Sequence, residues 1–394
     1  MSNSERFKTQ TDFSQKDFYT GIKNFNDAFY PIAIDIGYSA VKGIAPNKSF
    51  IFPSYARKLP KDRISLKEPE STDIKYRDDS GIWAVGALAY DEVNVSEILD
   101  SEAELYSRHR YYSSMFKVIT RCALGLALLR NDICAPEDRK IKVQTGLPPA
   151  YEKADTKYIK EVMSGTHEFA LKLGNGPWQR FQFSIDADDI SVMPQPMGAF
   201  MSAAINKDGS KSKEASRFFG SNVLVVDPGF GTFDCYTIKR GSVVNPVETF
   251  PEFGMREVFA RTCNDIASAF GVEILVPELQ NYLSDGKVRV INKEKMERKS
   301  YDFTNILEKN CKDVCLELIE KLKSTHNYFS DIDYIIAAGG TYDAWQPLFD
   351  KVFENMEDLK ILPGNRNDME LSNMFSNVRG YYYWLVSRLS KVKG

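Results

Sequence analysis

Residues 223–236, VLVVDPGFGTFDCY, read as a strand, a glycine-containing turn and a second strand. The apolar run 223–226 is typical of a strand buried on both faces, and Asp227 stands at its end. Glycines let backbone N–H groups approach an anion closely, and a carboxylate beside them can hold a divalent cation or a water molecule. The stretch therefore predicts a β-hairpin whose tip binds phosphate, with an ordinary Asp-Pro-Gly turn as the open alternative.

A second stretch near the N-terminus repeats this arrangement. Residues 32–44, IAIDIGYSAVKGI, give a strand that ends in Asp35, a glycine-containing tip, and a strand that carries Lys42. Placed face to face, two such hairpins would clamp a phosphate chain, and Lys42 would supply positive charge. One hairpin is weak evidence, whereas two hairpins in a chain of this length predict a phosphate-binding cleft between two related halves.

A proline-flanked glutamine lies between the two hairpins. Pro194 and Pro196 bracket Gln195, which predicts an extended turn followed by a helix. A rigidly held amide just before a helix can orient a water molecule for attack on a phosphate. A structural turn with a surface glutamine is the open alternative.

A third strand-to-glycine junction follows the second hairpin. Residues 333–343, DYIIAAGGTYD, read as a buried strand, the pair Gly339 and Gly340, and a helix from Asp343 onwards. Bare backbone at the glycine pair lets a flat ring or a sugar lie against it. Together with the two hairpins, this junction predicts a site for a nucleotide.

Length and composition set the class of protein. A chain of 394 residues exceeds what one hydrophobic core usually supports, so two domains are expected. With 43% hydrophobic and 27% charged residues the composition is that of a globular protein, and a net charge of −3 disfavours a generally basic nucleic-acid-binding surface. No transmembrane run or signal-peptide core is apparent, and scattered cysteines favour free thiols in a reducing cytoplasm.

Other patterns predict the surrounding elements. Residues 1–29 are polar and weakly patterned, which indicates an N-terminal arm that is either disordered or docked through its aromatic side chains. Apolar residues at helical spacing predict helices over 107–130 and 303–323 and a closing helix after Gly380. Residues 274–292 read as a short helix-and-turn insertion, and the basic residues after them read as a solvated helix face.

Five motifs, in this order and spacing, resemble the actin/Hsp70/sugar-kinase nucleotide-binding fold. They are two phosphate loops (DIGYSAVK at 35–42 and DPGFGT at 227–232), two connections between domains (QPMGA at 195–199 and FSNVRG at 375–380) and an adenosine loop (AGGT at 338–341). Within that superfamily, residues 34–38, 145–148 and 377–382 are most similar to the ParM/Alp group of bacterial actin-like proteins, which are ATP-driven filaments that segregate plasmids.

The resemblance implies two related α/β domains of the ribonuclease H-like type flanking a nucleotide cleft. Domain I would comprise residues 30–197 and 365–394, and domain II would comprise residues 198–364. The N-terminal arm precedes both and is extra relative to the family.

The resemblance also implies roles for the matched residues. Asp35 and Asp227 would hold Mg²⁺ through its water shell, Lys42 would pair with the β- and γ-phosphates, and Gln195 and Asp227 would serve hydrolysis. Asp234 reads as a strand-surface residue, with a part in orienting water or metal as the alternative. The backbone of both phosphate loops would cradle the phosphates and the adenosine loop would face the adenosine, which assigns Gly37, Tyr38, Ser39, Gly229, Phe230, Gly231, Thr232, Gly339, Gly340 and Thr341.

The sequence does not decide which side chains hold the purine, and Arg256 and Lys293 are candidates. Gln195 departs from ParM proper, which has glutamate at this place, and agrees with actin, which has glutamine. Because an amide cannot take up a proton at neutral pH, Gln195 fits water positioning rather than general-base transfer.

The implied function is a cytoplasmic, filament-forming ATPase that uses ATP (or GTP) with Mg²⁺ and drives plasmid DNA segregation. Its partners would be further copies of the chain and a DNA-binding adaptor protein, without direct nucleic-acid binding because the sequence pI is about 5.9. One alternative is a small-molecule kinase of the same fold, which needs a carboxylate base for a substrate hydroxyl. Another is a membrane-tethered cell-division actin homologue, anchored through an amphipathic closing helix, which is disfavoured against packing of that helix onto its own domain.

Overall fold

The computed structural model describes residues 4–60, 68–90, 108–129, 139–292 and 295–392. The strands are β1 Asp12–Gln15, β2 Phe29–Ile36, β3 Ala40–Ala45, β4 Lys48–Pro53, β5 Ala56–Lys58, β6 Ile74–Asp78, β7 Gly81–Val85, β8 Lys140–Leu147, β9 Gly165–Leu173, β10 Gln179–Ile185, β11 Ile190–Pro194, β12 Asn222–Pro228, β13 Phe233–Lys239, β14 Ser242–Phe250, β15 Lys287–Asn292, β16 Glu297–Asp302, β17 Tyr334–Ala337 and β18 Lys360–Pro363. The α-helices are α1 Ala87–Tyr90, α2 Ser114–Leu128, α3 Glu152–Met163, α4 Gln195–Ala204, α5 Ala215–Gly220, α6 Met255–Phe270, α7 Val276–Tyr282, α8 Thr304–Thr325, α9 Gly340–Phe353 and α10 Ser376–Leu389.

Two of the sheets share one strand order. The first runs β1-β4-β3-β2-β8-β11, and the second runs β14-β13-β12-β17-β18. In each, an antiparallel hairpin (β2-β3 or β12-β13) is followed across the sheet by two parallel strands. Apart from β1, the sheets correspond strand for strand, which confirms the predicted pair of related α/β units. We call the units built on these sheets the first half and the second half.

The central strands are buried on both faces, as their apolar runs predicted. In β12, Val223 and Val225 belong to one hydrophobic cluster, whereas Leu224 and Val226 belong to another on the opposite face. A separate sheet, β10-β9-β6-β7-β5, shares the apolar core of the first half. The hairpins that carry the predicted site are therefore fixed at the ends of fully packed strands.

Two helices connect the halves. The first turn of α4 follows β11 of the first sheet, while Ala199 and Phe200 of the same helix pack with residues of β12. Helix α10 packs back against β2 and β8. The chain passes from the first half to the second through α4 and returns through α10. The domain boundaries given above stay predictions.

The connecting helices cross at two glycines. A methyl group built at Gly380 would overlap the carbonyl oxygen of Gly198, and one built at Gly198 would lie 2.7 Å from the carbonyl oxygen of Asn377. Such backbone contact between helices requires residues without a side chain.

The N-terminal arm is docked in the structure. Phe18 is buried and lies edge-on to Tyr382 of α10, with ring centroids 5.9 Å apart. Phe7 packs against the core of the second half. Strand β1 pairs with β4 at the edge of the first sheet. Of the two alternatives stated for the arm, docking through aromatic side chains is the one observed.

Several boundaries differ from those predicted. Gln195 is the first residue of α4 rather than part of an extended turn, and α9 begins at Gly340 rather than Asp343. The closing helix begins at Ser376, before Gly380. Part of the helix predicted over 107–130 lies outside the described residues, and within them α2 covers its centre.

The segment 274–292 was wrongly predicted as a helix and turn alone. It contains α7 and then β15, which pairs with β16 as a separate hairpin. Arg298 and Lys299 therefore lie on a strand rather than on a helix face. The alternation Lys-Val-Arg-Val at 287–290, which is typical of a strand, was overlooked.

The alternative that the closing helix anchors the chain to a membrane requires an exposed apolar face on that helix. Leu385 and Leu389 of α10 are instead buried against the chain's own core, as are Tyr381 and Tyr382. Of the apolar face predicted for this helix, only Val392, just past the end of α10, is exposed, at 48%. The structure thus shows the packing alternative for the rest of that face.

The glycine crossing yields a stability prediction. We expect Gly380→Ala to lower the free energy of unfolding by about 3 kcal/mol, because the new methyl group has no room beside Gly198. Gly220→Ala is the matched control, since its added methyl group meets nothing within 4 Å. Urea unfolding of both variants measures the difference, and equal stabilities would contradict the proposed crossing contact.

Candidate functional site

A cavity of about 530 Å³ lies between the two halves. It is lined by every residue that the sequence motifs assigned to a site: Asp35, Gly37, Tyr38, Ser39, Lys42, Gln195, Asp227, Gly229, Phe230, Gly231, Thr232, Gly339, Gly340 and Thr341. The structure thus brings together segments of the chain that lie far apart in sequence. Their chemical roles stay predictions.

Asp35 is the penultimate residue of β2 and is 2% exposed. The ammonium group of Lys42 donates a hydrogen bond to Oδ2 of Asp35 at 2.8 Å, and the amide of Gln195 donates to Oδ1 at 3.0 Å. Asp35 and Lys42 are register partners in the hairpin, so the ion pair follows from strand pairing. A charge-assisted bond of this kind keeps the buried carboxylate compensated.

Asp227 holds the equivalent place in the second half. The amide of Asn377, on α10, donates a hydrogen bond to its Oδ2 at 2.6 Å. The register partner of Asp227 is Asp234, where the first hairpin has Lys42. Burial, together with the nearby charge of Asp35, raises the pKa of Asp227 to about 6, although Asn377 and Lys42 oppose that rise.

Asp234 was wrongly expected at the strand surface. It is 2% exposed, lines the cavity, and accepts hydrogen bonds from Thr249 at 2.6 Å and Thr232 at 3.0 Å. Burial raises the pKa of Asp234 to about 7, and the charge of Asp227 adds to the rise. The second hairpin thus carries two buried acids, Asp227 and Asp234, whose pKa values are both near neutrality.

Glycine is required at two places in the cavity wall. A methyl group at Gly231 would lie 2.7 Å from the ring of Tyr38, so the tips of the two hairpins approach each other there. Gly339 has φ of +84°, and a side chain on it would crowd the carbonyl oxygen of Pro228 and Oδ1 of Asp227. Gly231 thus makes room for the Tyr38 ring, and Gly339 lets its backbone approach Pro228 and the carboxylate of Asp227.

Sequence reasoning missed two polar side chains of the site. Asn377 lay within a motif that indicated a connection, but no local pattern pointed to Asp227. Arg110 donates a hydrogen bond to the carbonyl oxygen of Ile36 at 3.1 Å, and its guanidinium lies over the Tyr38 ring at 4.6 Å. Arg110 also lines the cavity, so it both supports the first loop and adds positive charge beside it.

The structure places one of the two purine candidates away from the cavity. Arg256 is exposed and is absent from the residues that line the cavity. Lys293 lies outside the described residues. At the second half's end of the cavity, Met255, Gln280 and Ala344 line the wall instead.

The residues fit a hydrated cation better than a directly bound one. Among the described residues no group of three or more His, Cys, Asp or Glu side chains converges as a metal cage. Asp35 and Asp227 nevertheless face one cavity from opposite halves. Mg²⁺ usually keeps several waters and is held by one or two carboxylates together with substrate phosphates, which is the donor set that this cavity offers.

The match to known families covers the first half. Residues 33–198 match the family described as the N-terminal domain of actin-like proteins. The first half of the chain is therefore similar to the N-terminal domain of actin-like proteins. The match begins after the N-terminal arm, which lies outside it. No curated protein matches the chain in sequence.

Solved structures agree with this assignment. A 15-stranded ParM filament from Clostridium botulinum matches with a TM-score of 0.67 at 22% identity, over 91% of this chain and 99% of that chain. An archaeal actin homologue in complex with ADP gives 0.60 at 15% identity, over 91% and 100%. The Alp12 filament gives 0.56 at 16% identity, over 92% and 99%. The actin-like fold and the resemblance to the ParM/Alp group are confirmed, and at these identities the structures establish the fold alone.

The described helices are too short or too polar to cross a bilayer.

The buried acid pair yields a pH prediction. Since the pKa of Asp234 is about 7 in the folded chain and about 3.9 when unfolded, the folded state loses stability as the pH rises through 7. Asp234→Asn removes this charge. We expect the stability of the variant relative to the unmodified chain to be greatest near pH 8 and to shrink towards pH 4.

Urea unfolding of the nucleotide-free chain across that range measures the difference. Asp358→Asn, which changes an exposed carboxyl group, is the control and should show a flat difference. A difference for Asp234→Asn that does not vary with pH would contradict a raised pKa.

Proposed function

We propose that the chain is a filament-forming actin-like ATPase whose polymerisation is coupled to the bound nucleotide and which drives plasmid DNA segregation. One observation carries the proposal. The carboxylates Asp35 and Asp227 face a single cavity from related hairpins, and each accepts a hydrogen bond from the first turn of a connecting helix. Whatever binds both hairpins therefore also acts on the helices that join the halves.

The first hairpin supports a role in positioning water. Gln195 uses its amide N–H₂ group to bind Asp35, which leaves its carbonyl oxygen as an acceptor. A water molecule that donates to this oxygen would be oriented for in-line attack on a terminal phosphate. Gln195 cannot accept the proton itself, so its contribution is orientation rather than general-base catalysis.

The loops and charges support nucleotide binding with Mg²⁺. Lys42 and Arg110 bring positive charge to the first loop, and the glycine-rich backbone of both loops can approach phosphate oxygens closely. Bound Mg²⁺ would supply charge neutralisation of the phosphates. A cation in the cleft also favours the charged forms of Asp227 and Asp234, which are disfavoured in its absence. We propose ATP as the nucleotide, with GTP as the alternative.

Self-association is proposed from similarity. The ParM and Alp12 structures that match the chain are filaments. A hinge at the Gly198–Gly380 crossing would let a neighbouring subunit close the cleft and bring Gln195 into its working position. We propose that DNA is reached through a DNA-binding adaptor, because the net charge of −3 does not favour direct contact.

The small-molecule kinase stays as a second candidate because of Asp234. It is a cavity-lining carboxylate with a pKa of about 7, which suits a general base for a substrate hydroxyl. Both of its oxygens already accept hydrogen bonds from Thr232 and Thr249, which favours a structural role.

Light scattering separates the two candidates. We expect scattering to rise when ATP and Mg²⁺ are added to the chain alone, because a filament needs no second substrate. A kinase would instead hydrolyse or transfer phosphate only when a hydroxyl substrate is present. Scattering that stays at the baseline with ATP, GTP and their non-hydrolysable analogues would contradict the proposal that the chain forms filaments.

Gln195 gives the sharpest catalytic test. We expect Gln195→Ala to slow phosphate release by about tenfold to a hundredfold, because the attacking water loses its orienting group, while ATP-driven sedimentation stays intact. Gln182→Ala, at an exposed site on β10, is the matched control. Phosphate release at the unmodified rate in Gln195→Ala would remove the proposed role.

A further inference from the structure

The N-terminal arm runs from the second half to the first across the cleft. It precedes residues 33–198, so the match to the actin-like N-terminal domain does not include it. Its segment 4–12, which we call the strap, begins on the second half and ends where β1 joins the first sheet. Because the strap contacts both halves, it limits how far the two halves can move apart.

The strap is anchored to the second half by a few contacts. Ser4 is buried and donates a hydrogen bond to the carbonyl oxygen of Leu283 at 2.8 Å. The ammonium group of Lys8 donates to the hydroxyl of Ser284 at 2.9 Å. The ring of Phe7 packs, partly buried, against the core of the second half. A short 3₁₀ helix, Glu5–Phe7, lies between Ser4 and Lys8.

The anchor on the first half is more extensive. Strand β1 pairs antiparallel with β4 over its whole length, from Asp12 opposite Ile51 onwards. Beyond it, Lys16 contacts the carboxylates of Asp368 and Glu370 at 2.9 and 3.2 Å, and Phe18 is buried. Because a strand ladder and a buried ring hold this end, the strap should detach from its Ser4 end first.

The strap lines the cavity without filling it. Glu5, Arg6, Phe7, Lys8, Thr9 and Gln10 border the same cavity as the phosphate loops and the adenosine loop. A cavity of about 530 Å³ remains, which is within the range of pockets that hold small molecules of nucleotide size. Lys8 and Thr9 also line a second, smaller cavity together with Ser39 and Phe230, so the strap runs near the tips of both hairpins.

We propose that the strap forms one wall of the nucleotide site and retains the bound nucleotide, which leaves only after the Ser4 end has detached from the second half. The proposal rests on the proposed nucleotide-binding function. It assigns Ser4, Phe7 and Lys8 as residues that set the release rate, although they precede every motif of the site.

The test is the release rate of a fluorescent ADP analogue chased with excess ATP, measured on the full chain. We expect the double variant Ser4→Ala/Phe7→Ala to release nucleotide about tenfold faster, with a dissociation constant raised by the same factor and an unchanged association rate. Lys8→Ala, which removes one hydrogen bond at a partly exposed site, should shift release in the same direction by less. Lys16→Ala, on the arm but away from the cavity, is the control and should leave release unchanged.

Hydrogen exchange of residues 4–12 shows whether the strap has detached in each variant. Fast exchange of residues 4–12 with an unchanged release rate would overturn the proposal that the strap retains the nucleotide. It would leave the proposed nucleotide binding intact. Faster association and tighter binding in the double variant would show that the arm is a plug, and would also overturn the proposal. If the unmodified chain binds no nucleotide, the proposed function fails and this proposal fails with it. Should the double variant not fold, Lys8→Ala against Lys16→Ala decides the question by the same rates.

Discussion

The close approach of Gly198 and Gly380 is the constraint on which the rest of the structure depends. It lets α4 and α10 cross with backbone against backbone, and it leaves room for the buried ring of Tyr381 beside Gly146 and Gly198. Each helix places one amide side chain in the cleft near its start: Gln195 on Asp35, and Asn377 on Asp227. The helix crossing between the halves and the polar side chains of the cavity are therefore parts of one arrangement, and any change in the angle between the halves would move both amides.

The two halves are alike in topology and unlike in charge. The register partner of Asp35 is Lys42, and the register partner of Asp227 is Asp234. The first hairpin is neutralised within itself, whereas the second holds two buried acids whose pKa values are raised. A phosphate-bound cation would relieve the repulsion between Asp227 and Asp234 in the second hairpin, while Lys42 of the first hairpin would attract phosphate. In the proposed nucleotide site, the two hairpins would therefore make different contributions.

Much of the fold and the cavity could be predicted from sequence, because the decisive signals are local. An apolar run, an acid and a glycine turn within about 14 residues identified each hairpin, and the expected site residues all line one cavity. Contacts between distant segments gave no such signal: Asn377 lies 150 positions from Asp227, and Ser4 lies 279 from Leu283. Asp234 was misplaced because alternation along β13 does not show which face of the strand borders the cleft. The β15-β16 hairpin was missed although residues 287–290 alternate between charged and apolar side chains, because β16 has Tyr301 as its one large apolar residue.

The most direct test of the proposed site is a crystal structure of the chain bound to a non-hydrolysable ATP analogue and Mg²⁺. We expect the phosphates between the loops at 37–39 and 229–232, a hydrated cation between Asp35 and Asp227, and the sugar or base against Gly339 and Gly340. A nucleotide bound elsewhere on the chain, or a cleft that stays empty at saturating concentration, would contradict it.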